Sequence, residues 1–422
     1  MEILADHYWP TVEKAKALLD AHDPAGADPV ITDGLHEWPQ SLELMFLFGR
    51  MLRETDHAGA ALNVFRDLMN RDQRWQFKAS YANCLSQLDK PEKALDALEG
   101  CPENAHTLCA VSTAWINLGD YDKAIHFARR ALADGYMRQP YINMAFAYLH
   151  KGNDALGYDY YRHGMGNMTW REERNYIGEP EWQGEDCRLL VYGEQGIGDQ
   201  IVWLRNMAKQ TTVLDVHPKM QRLYARNFPD IEVHGDFRNW DVDWTPEIDA
   251  SVSVSAMQCH VDQPCGPYLT ADPDKELMWS ALLADKGIRV GLCWTGGKLR
   301  SASSGRKAHR LEHFAPIYEQ MPVVSLEYRN PGELPENIHH WCETEGDLED
   351  IAAIIASLDV VVGVGTTAMH LAGALGVPAL ILNHDRPHFH YRGEGSPYWD
   401  TWRRFDTVED MVGELMKLDR AA

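Results

Sequence analysis

One stretch near the end of the chain, residues 359–383, limits the possible folds more than any other. Its sequence, DVVVGVGTTAMHLAGALGVPALILN, has the pattern of a strand, a turn, a helix, a turn and a second strand. Three successive valines are typical of a buried parallel strand. A helix is predicted to begin at Thr366 and to end at Gly376, before Pro378. The turn at residues 365–367 predicts a phosphate-like anion site at the positive end of the helix. The alternative is a strand–helix–strand unit whose capped helix binds nothing.

Length, charge and cysteine usage narrow the class of protein. The 422 residues are enough for two or three domains, and the formal net charge is −23. That charge disfavours broad contact with nucleic acid or with an anionic membrane surface. The start of the chain lacks the features of a signal peptide, and no apolar run has membrane-spanning length. Because the eight cysteines are scattered without a CxxC motif, we expect reduced cysteines in a cytoplasmic protein without a membrane span.

Residues 1–166 are predicted to form an all-α solenoid of tetratricopeptide-like helical repeats. A small residue recurs in the second helix of each pair at close to the ~34-residue period of such repeats. Such an array presents a groove for a peptide or protein partner; a purely structural platform or a dimerisation arm is the alternative. Residues 1–21 are expected to form a capping helix, and residues 23–40 a loop or a degenerate repeat. The predicted helix pairs are 41–54 with 57–70, 75–88 with 91–99, 105–118 with 121–134, and 139–151 with 154–165, and the recurring small residues are Ala60, Ala94, Ala124 and Ala155.

Residues 167–184 are predicted to be a linker, whose Trp170, Tyr176 and Trp182 pack the domains together. The chain then becomes α/β, with a first half at 185–284 and a second half at 285–422, in the alternating pattern of Rossmann-like units.

The first half begins with a strand and the glycine-rich turn GEQGIGD at 193–199, followed by a helix predicted at 201–209. The spacing GxxGxGD differs from the dinucleotide fingerprint GxGxxG, so an NAD site is disfavoured. Asp199 would project from the helix start into a cleft; the alternative is that it only caps the helix.

The second half contains a basic segment that stands out in so acidic a chain. Seven basic residues and no acidic ones lie between Lys286 and Arg310, around the Ser/Gly-rich run 301–305. This composition predicts a flexible loop that carries positive charge over a site, where it could hold a diphosphate. A solvated basic loop is the alternative.

Taken together, the motifs of 185–422 resemble the two-lobed glycosyltransferase fold known as GT-B, in particular the bacterial heptosyltransferases and the tetratricopeptide-linked proteins with a heptosyltransferase-like domain. Helical repeats followed by such a transferase also resemble the arrangement of protein O-GlcNAc transferases. The resemblance is carried by five segments: GEQGIGDQIVW (193–203), PYL (267–269), GLCWTGG (291–297), HRLEHF (309–314) and GVGTTAMHLAGALGVP (363–378).

The resemblance implies that the first half is an acceptor lobe and the second half a nucleotide-sugar donor lobe. Asp199 matches the position of the family's base. It would deprotonate an acceptor hydroxyl, while cationic groups and helix N–H groups stabilise the leaving nucleoside diphosphate. Neither a metal nor a cofactor is implied. The implied donor-binding residues are Thr295, Gly296, Lys298, Arg310, Glu327, Gly365, Thr366, Thr367 and His370, and the acceptor-side residues are Gln195, Gly196, Gly198 and His388.

Two positions depart from the family pattern. Gly365 stands where the family usually has an aspartate, and Glu327 stands where related sequences often have glutamine. Glu327 could bind a ribose hydroxyl or be a solvated strand end. The DxD letters at Asp241–Asp243 lie outside the expected donor site, so we do not assign them to a metal.

His384, His388 and His390 have no cysteine ligand nearby, and we assign them to the acceptor site or to packing rather than to a metal. We therefore expect an inverting, metal-independent glycosyltransferase. The alternative is a non-catalytic adaptor whose repeats bind a partner and whose transferase halves are degenerate. A sugar-epimerase-like or nucleotide-binding module is a third hypothesis. The acceptor could be a protein or glycan at the repeat groove, a lipid-linked sugar or a modified nucleobase. The sequence also leaves open whether the protein forms a homo-oligomer.

Overall fold

The computed structural model describes residues 2–135, 138–165, 173–235, 247–262, 265–295, 309–342, 346–382, 389–392 and 395–421. These residues belong to two compact units, one made of helices alone and one built on two parallel sheets. Within the described ranges, no helix is both long enough and apolar enough to cross a bilayer. Several residues singled out from the sequence lie outside the described ranges: Trp170, Asp241, Asp243, Gly296, Lys298, His384 and His388.

The helical unit is a series of five successive helix pairs, and the four pairs predicted from the sequence are confirmed. The segment before them is a further pair, so the prediction of a loop at 23–40 is wrong and the degenerate repeat is right. Asp23 caps this extra helix by accepting from the N–H of Gly26, and Pro24 occupies its first turn. The pairs are α1 (Glu2–Asp20) with α2 (Pro24–Glu37), α3 (Leu42–Glu54) with α4 (Ala58–Arg71), α5 (Trp75–Gln87) with α6 (Pro91–Leu98), α7 (Ala105–Leu118) with α8 (Tyr121–Ala133), and α9 (Gln139–His150) with α10 (Asp154–His163).

A small, buried residue stands fourth in the second helix of every pair, at intervals of 30 to 34 residues. The repeat region therefore resembles tetratricopeptide repeats. Ala60 and Ala155, two of the recurring small residues named from the sequence, are exposed, and the buried small residues of their helices are Ala61 and Gly157. The constraint is close helix contact: a Cβ at residue 157 would lie 2.6 Å from the Leu149 side chain. The five buried residues are Ala27, Ala61, Ala94, Ala124 and Gly157.

Two parallel sheets form the frame of the α/β unit. The first has the strand order β3-β2-β1-β4, and the second has the order β10-β9-β8-β5-β6-β7. Because parallel neighbours need crossover connections, helices lie between successive strands in most of the chain. The strands are β1 (Leu189–Tyr192), β2 (Thr211–Asp215), β3 (Glu232–His234), β4 (Ala250–Ser253), β5 (Val290–Cys293), β6 (Val323–Ser325), β7 (Ile338–His339), β8 (Val360–Gly363), β9 (Ala379–Leu382) and β10 (Trp402–Phe405).

The helix after β1 begins earlier than the sequence suggested. It was predicted at 201–209 but runs from Ile197 to Leu204, because Gly196 has the extended backbone of an N-cap. Asp199 therefore lies inside the first helical turn, and the alternative that it caps the helix is wrong. The helices of this unit are α11 (Ile197–Leu204), α12 (Gln221–Asn227), α13 (Val254–Met257), α14 (Pro273–Asp285), α15 (Ala315–Tyr318), α16 (Leu348–Ala356), α17 (Thr367–Leu375) and α18 (Val408–Ala421).

Direct contacts join the two halves of the α/β unit. The backbone N–H of Tyr268 donates to the carbonyl of Ala374 in α17 at 2.9 Å, and its hydroxyl donates to the carbonyl of Ile201 in α11 at 2.8 Å. On α12, Arg226 pairs with the buried carboxylate of Glu349 on α16 at 3.0 Å. These bonds join the two halves within one compact unit.

The described part of the predicted linker belongs to the α/β unit. Arg174 pairs with the buried Asp215 at the end of β2, at 2.9 Å, and the Tyr176 hydroxyl donates to the same carboxylate at 2.7 Å. Trp182 is buried, and its backbone N–H donates to the Ser251 carbonyl in β4 at 2.9 Å. Tyr176 and Trp182 therefore form these bonds within the first half of the α/β unit.

Candidate functional site

The first turns of α11 and α17 meet, and most of the predicted site residues lie on these two turns. A Cβ placed at Gly198 would lie 3.1 Å from the His370 ring and 3.7 Å from the Cα of Thr367. A side chain at this position would be tightly packed against α17, so glycine favours the close approach of the two helices. Each helix follows a strand at the carboxyl edge of its sheet, where ligands bind in parallel α/β folds. The contact places the turn that carries Asp199 against the turn that carries Thr367.

The start of α17 has features that favour a nearby negative charge. Thr366 is extended, and its hydroxyl accepts from the N–H of Met369 at 3.4 Å. The same hydroxyl lies 3.3 Å from the buried Sγ of Cys293, whose pKa burial raises to about 12. The first turn of α17 contains no acidic residue. Because first-turn N–H groups lack partners within a helix, they and the helix dipole together favour an anion here.

The start of α11 carries the opposite charge. Asp199 is the third residue of the helix, where the dipole stabilises a carboxylate. Its side chain is 32% exposed, and its Oδ1 lies 3.1 Å from Nε2 of His390. A carboxylate in this position can accept a proton from a group that enters the cleft.

His370 lies in a buried cluster of rings beneath these two turns. Its Nδ1 accepts a hydrogen bond from the indole N–H of Trp399 at 3.2 Å. Because an indole nitrogen only donates, Nδ1 carries no proton and the ring is neutral. Its Nε2 therefore carries the proton and faces the hydroxyl of Tyr391 at 3.4 Å, in a stacked arrangement with that ring. His370, which was predicted to bind the nucleotide-sugar, is thus a buried neutral imidazole.

Tyr391 explains the glycine at 365. A Cβ at this position would overlap the Tyr391 hydroxyl. Tyr391 is itself buried and stacked on Trp402, and burial raises its pKa above the ordinary tyrosine value. An aspartate at 365 would need Tyr391 to move. The only sequence signal for this residue was its place in an aromatic stretch after His388.

Glu327 organises the turn after β5. Its carboxylate accepts from the backbone N–H groups of Trp294 and Thr295 at 2.8 and 2.9 Å, and from the Thr295 hydroxyl. It is only 6% exposed, so the solvated strand end is excluded, and burial raises the pKa of its carboxyl group. The exposed Arg310 returns to this edge, because the N–H of His309 donates to the Trp294 carbonyl at 3.0 Å.

The glycine-rich turn of the first half is held from beneath by buried polar groups. Glu194 accepts from the Ser255 hydroxyl, and the side-chain amide of Gln200 donates to the Gln195 carbonyl at 3.3 Å. Gln195 adopts a left-handed backbone with φ of 69°. A side chain at Gly193 would overlap Gln200. The sequence did not single out Glu194 or Gln200, because nothing in their spacing marks a buried contact.

The structure therefore brings part of the predicted site together. Thr295 and Glu327 follow the neighbouring strands β5 and β6 of the second sheet, and Arg310 is next to His309, which bonds to Trp294. Among the described residues, no group of three or more His, Cys, Asp and Glu side chains could hold a metal ion. The residues of the two contacting turns and the ring cluster below are Gly196, Gly198, Asp199, Gly365, Thr366, Thr367, His370, His390 and Tyr391.

The helical unit has a groove of its own along α8 and α9. Its volume is about 450 Å³. Arg129 donates to the hydroxyl of Tyr148 across it, at 2.8 Å. Four of its eight lining residues are His, Arg or Lys, which contrasts with the net charge of −23 for the chain. The lining residues are Asp122, Ile125, His126, Arg129, Arg130, Ala133, Tyr148 and Lys151.

The chain is similar to protein FlbA of Caulobacter vibrioides. The two are 25% identical over 494 residues, and the match covers 95% of this chain and 78% of FlbA. No protein-family model matches the chain.

Three solved structures of tetratricopeptide and related proteins match the chain over 37% of its length. TTC0263 of Thermus thermophilus has a TM-score of 0.35 and 18% identity, over 89% of that chain. MamA of Desulfovibrio magneticus has a TM-score of 0.29 and 15% identity, over 92% of that chain. PilW, a type IV pilus biogenesis factor, has a TM-score of 0.32 and 14% identity, over 76% of that chain. TM-scores this low do not establish a shared fold, so the repeat assignment depends on the helix pairs themselves.

Proposed function

We propose that this protein is an inverting GT-B glycosyltransferase that moves a sugar from a nucleotide-sugar to an acceptor hydroxyl. One observation carries the proposal: the turn bearing a partly exposed carboxylate, Asp199, packs against a helix start with a threonine cap and no acidic residue. A base and a diphosphate-binding turn must lie this close for one substrate to attack the other. The heptosyltransferase-like motifs at the same positions support it by resemblance.

The chemistry assigns each turn a role. Asp199 takes the proton of the acceptor hydroxyl while the oxygen of that hydroxyl attacks the anomeric carbon from the face opposite the phosphate. The bond from that carbon to the phosphate oxygen breaks, its electron pair leaves with the nucleoside diphosphate, and the configuration inverts. Thr366, Thr367 and the first N–H groups of α17 stabilise the charge on the leaving diphosphate. Lys298 and Arg310 of the basic segment add positive charge.

A thermal-shift screen against UDP-, GDP-, ADP- and CMP-sugars tests the donor site. A ligand at 100 times its Kd stabilises a protein by about 2.7 kcal/mol, so one nucleotide class should raise the Tm clearly. Thr366→Ala and Lys298→Ala should both abolish that shift. The control is Thr407→Ala, which removes a similar cap at the start of α18, where the Thr407 hydroxyl accepts from the Asp410 N–H at 3.1 Å. No shift with any nucleotide-sugar, or a shift that both Thr366→Ala and Lys298→Ala retain, would reject the proposal.

A second function is favoured by the basic groove of α8 and α9: an adaptor that binds an acidic segment of a partner protein. Arg130 and Lys151 are paired with Glu103 and Asp122. His126 and Arg129, beside the apolar Ile125, suit a peptide that combines carboxylates with apolar residues. Fluorescence anisotropy with a labelled Glu/Leu-rich peptide tests this. Binding should weaken with salt and with Arg129→Glu, but not with Lys93→Glu on the exposed face of α6. Equal binding by both variants would exclude the groove.

A further inference from the structure

A buried imidazole from the second half contacts the proposed base in the first half. Nε2 of His390 lies 3.1 Å from Oδ1 of Asp199. His390 is 2% exposed, whereas the Asp199 side chain is 32% exposed. The transfer chemistry uses the carboxylate and leaves the imidazole without an assigned role. A carboxylate oxygen accepts only, so Nε2 is the donor whenever Asp199 is ionised.

Rings from several elements fix the orientation of His390. The ring centroid of Phe389 lies 4.2 Å away, that of Tyr398 lies 5.3 Å away, and that of His370 lies 5.4 Å away. The fourth neighbour, Trp203, is part of α11 itself, with centroids 6.3 Å apart. Because the imidazole is packed on these sides, it can hold a hydrogen-bonded carboxylate in one orientation.

The two oxygens of Asp199 have different surroundings. Oδ1 faces the buried imidazole, while Oδ2 lies beside Gly196, where a Cβ would stand 3.3 Å away. Gly196 is exposed and adds no side chain there. Oδ2 is therefore the oxygen of Asp199 that a group approaching over Gly196 would reach.

We infer that His390 is a positioning residue: it holds Oδ1 of Asp199 so that Oδ2 receives the proton of the acceptor hydroxyl. This inference rests on the proposed function. The base is then assembled from both halves, with the carboxylate on α11 and its orienting imidazole on the segment next to Tyr391. That segment also covers Gly365 at the start of α17. One short segment thereby links the diphosphate-binding turn to the orientation of the base.

The test compares His390→Gln, which keeps an N–H donor, with His390→Met, which fills similar volume without one. The readouts are the Tm shift by the nucleotide-sugar and the rate of its hydrolysis, with water in place of the acceptor. His390→Met should lower kcat by about 10²-fold, the scale of a misplaced catalytic group, with KM and the Tm shift unchanged. His390→Gln should restore kcat to within about fivefold of wild type. Equal kcat in the two variants, or a loss confined to KM and the Tm shift, would overturn the inference.

An unfolding experiment separates this inference from the proposed function. The urea midpoints of Asp199→Asn, His390→Met and the double variant form a double-mutant cycle. Non-additive midpoints together with the kcat pattern support the positioning role. Additive midpoints would show that the pair does not interact, even in an active enzyme. Non-additive midpoints in a protein that binds and hydrolyses no nucleotide-sugar would reject the proposed function and leave the pair as a structural contact only.

Discussion

The helices α11 and α17 begin at equivalent places in the two halves, yet their first turns are opposite in chemistry. Each follows a parallel strand, and each starts at the carboxyl edge of its sheet. In α11 the cap is Gly196, which offers no side-chain bond, and the first turn contains Asp199. In α17 the cap is Thr366, and the first turn contains no acidic residue. The same backbone frame thus presents a carboxylate at one helix start and, at the other, a first turn without any acidic residue.

This difference shows how a repeated fold unit acquires two roles. A helix dipole stabilises a carboxylate whether it comes from the protein or from a ligand. In α11 the protein supplies the charge; in α17 the first turn has no acidic residue, and this is where we propose that the diphosphate binds. Gly198, at the contact between the turns, keeps the two sites close enough for one reaction.

Asp199→Asn tests the α11 side of this comparison and should have the largest effect on turnover. An amide cannot take the acceptor proton, so kcat for nucleotide-sugar hydrolysis should fall by about 10²–10⁴-fold. The Tm shift by the nucleotide-sugar should stay, because the proposed diphosphate site is at α17 and not at Asp199. The matched control is Asp274→Asn in the first turn of α14, which should alter stability by about 0.3–1 kcal/mol and leave turnover unchanged. Undiminished hydrolysis by Asp199→Asn would remove Asp199 as the base.

Gly365→Ala tests the α17 side of the comparison. The added Cβ overlaps the Tyr391 hydroxyl, and burial and stacking oppose the shift of Tyr391 that would relieve the overlap, so urea unfolding should show a loss of about 1–3 kcal/mol. Gly59→Ala, in α4 with no atom near its Cβ position, should instead stabilise by up to about 1 kcal/mol. The cost of Gly365→Ala should shrink in a Tyr391→Leu background. An unchanged cost in that background would mean that Tyr391 is not the obstacle.

Gly196→Ser sharpens the comparison by giving α11 the kind of cap that α17 has. Stability should change by only a few tenths of a kcal/mol, because Gly and Ser are both accepted at this position. Hydrolysis should nevertheless fall about tenfold, since the new side chain starts 3.3 Å from Oδ2 of Asp199. Urea unfolding and turnover of the same preparation measure the two effects. A variant with full turnover would show that Oδ2 is not approached from this side.

Glu327→Gln should have the smallest effect, a change in stability that depends on pH. Burial raises the pKa of Glu327 above its ordinary value of 4.5. The folded state therefore holds this proton more tightly than the unfolded state, and wild-type stability decreases from about pH 4.5 up to the higher folded pKa. The glutamine variant lacks that decrease. Its stability relative to wild type should rise with pH across this window in urea titrations; a constant difference would indicate an unshifted pKa.

Local patterns predicted much of the fold. Helix pairs from 41 to 165 and most strands of both sheets follow from hydrophobic period, caps and glycines, which act within a few residues. Errors arose where local signals compete. Gly196 and Gly198 suggested a longer turn, although Gly196 is the cap and Gly198 lies within α11. Ala60 and its neighbour Ala61 are the same residue type, and only the packing of the helix determines that Ala61 is the buried one.

The sequence by itself determined the two-part organisation, the threonine-capped turn of α17 and the carboxylate at the start of α11. Only the tertiary structure decided that Asp199 meets His390, 191 positions away, and that Tyr391 takes the space above Gly365. Caps and helical periods depend on neighbouring residues and can be recognised along the chain. Contacts between distant segments depend on how the two sheets bring their carboxyl edges together, and no local pattern encodes that approach.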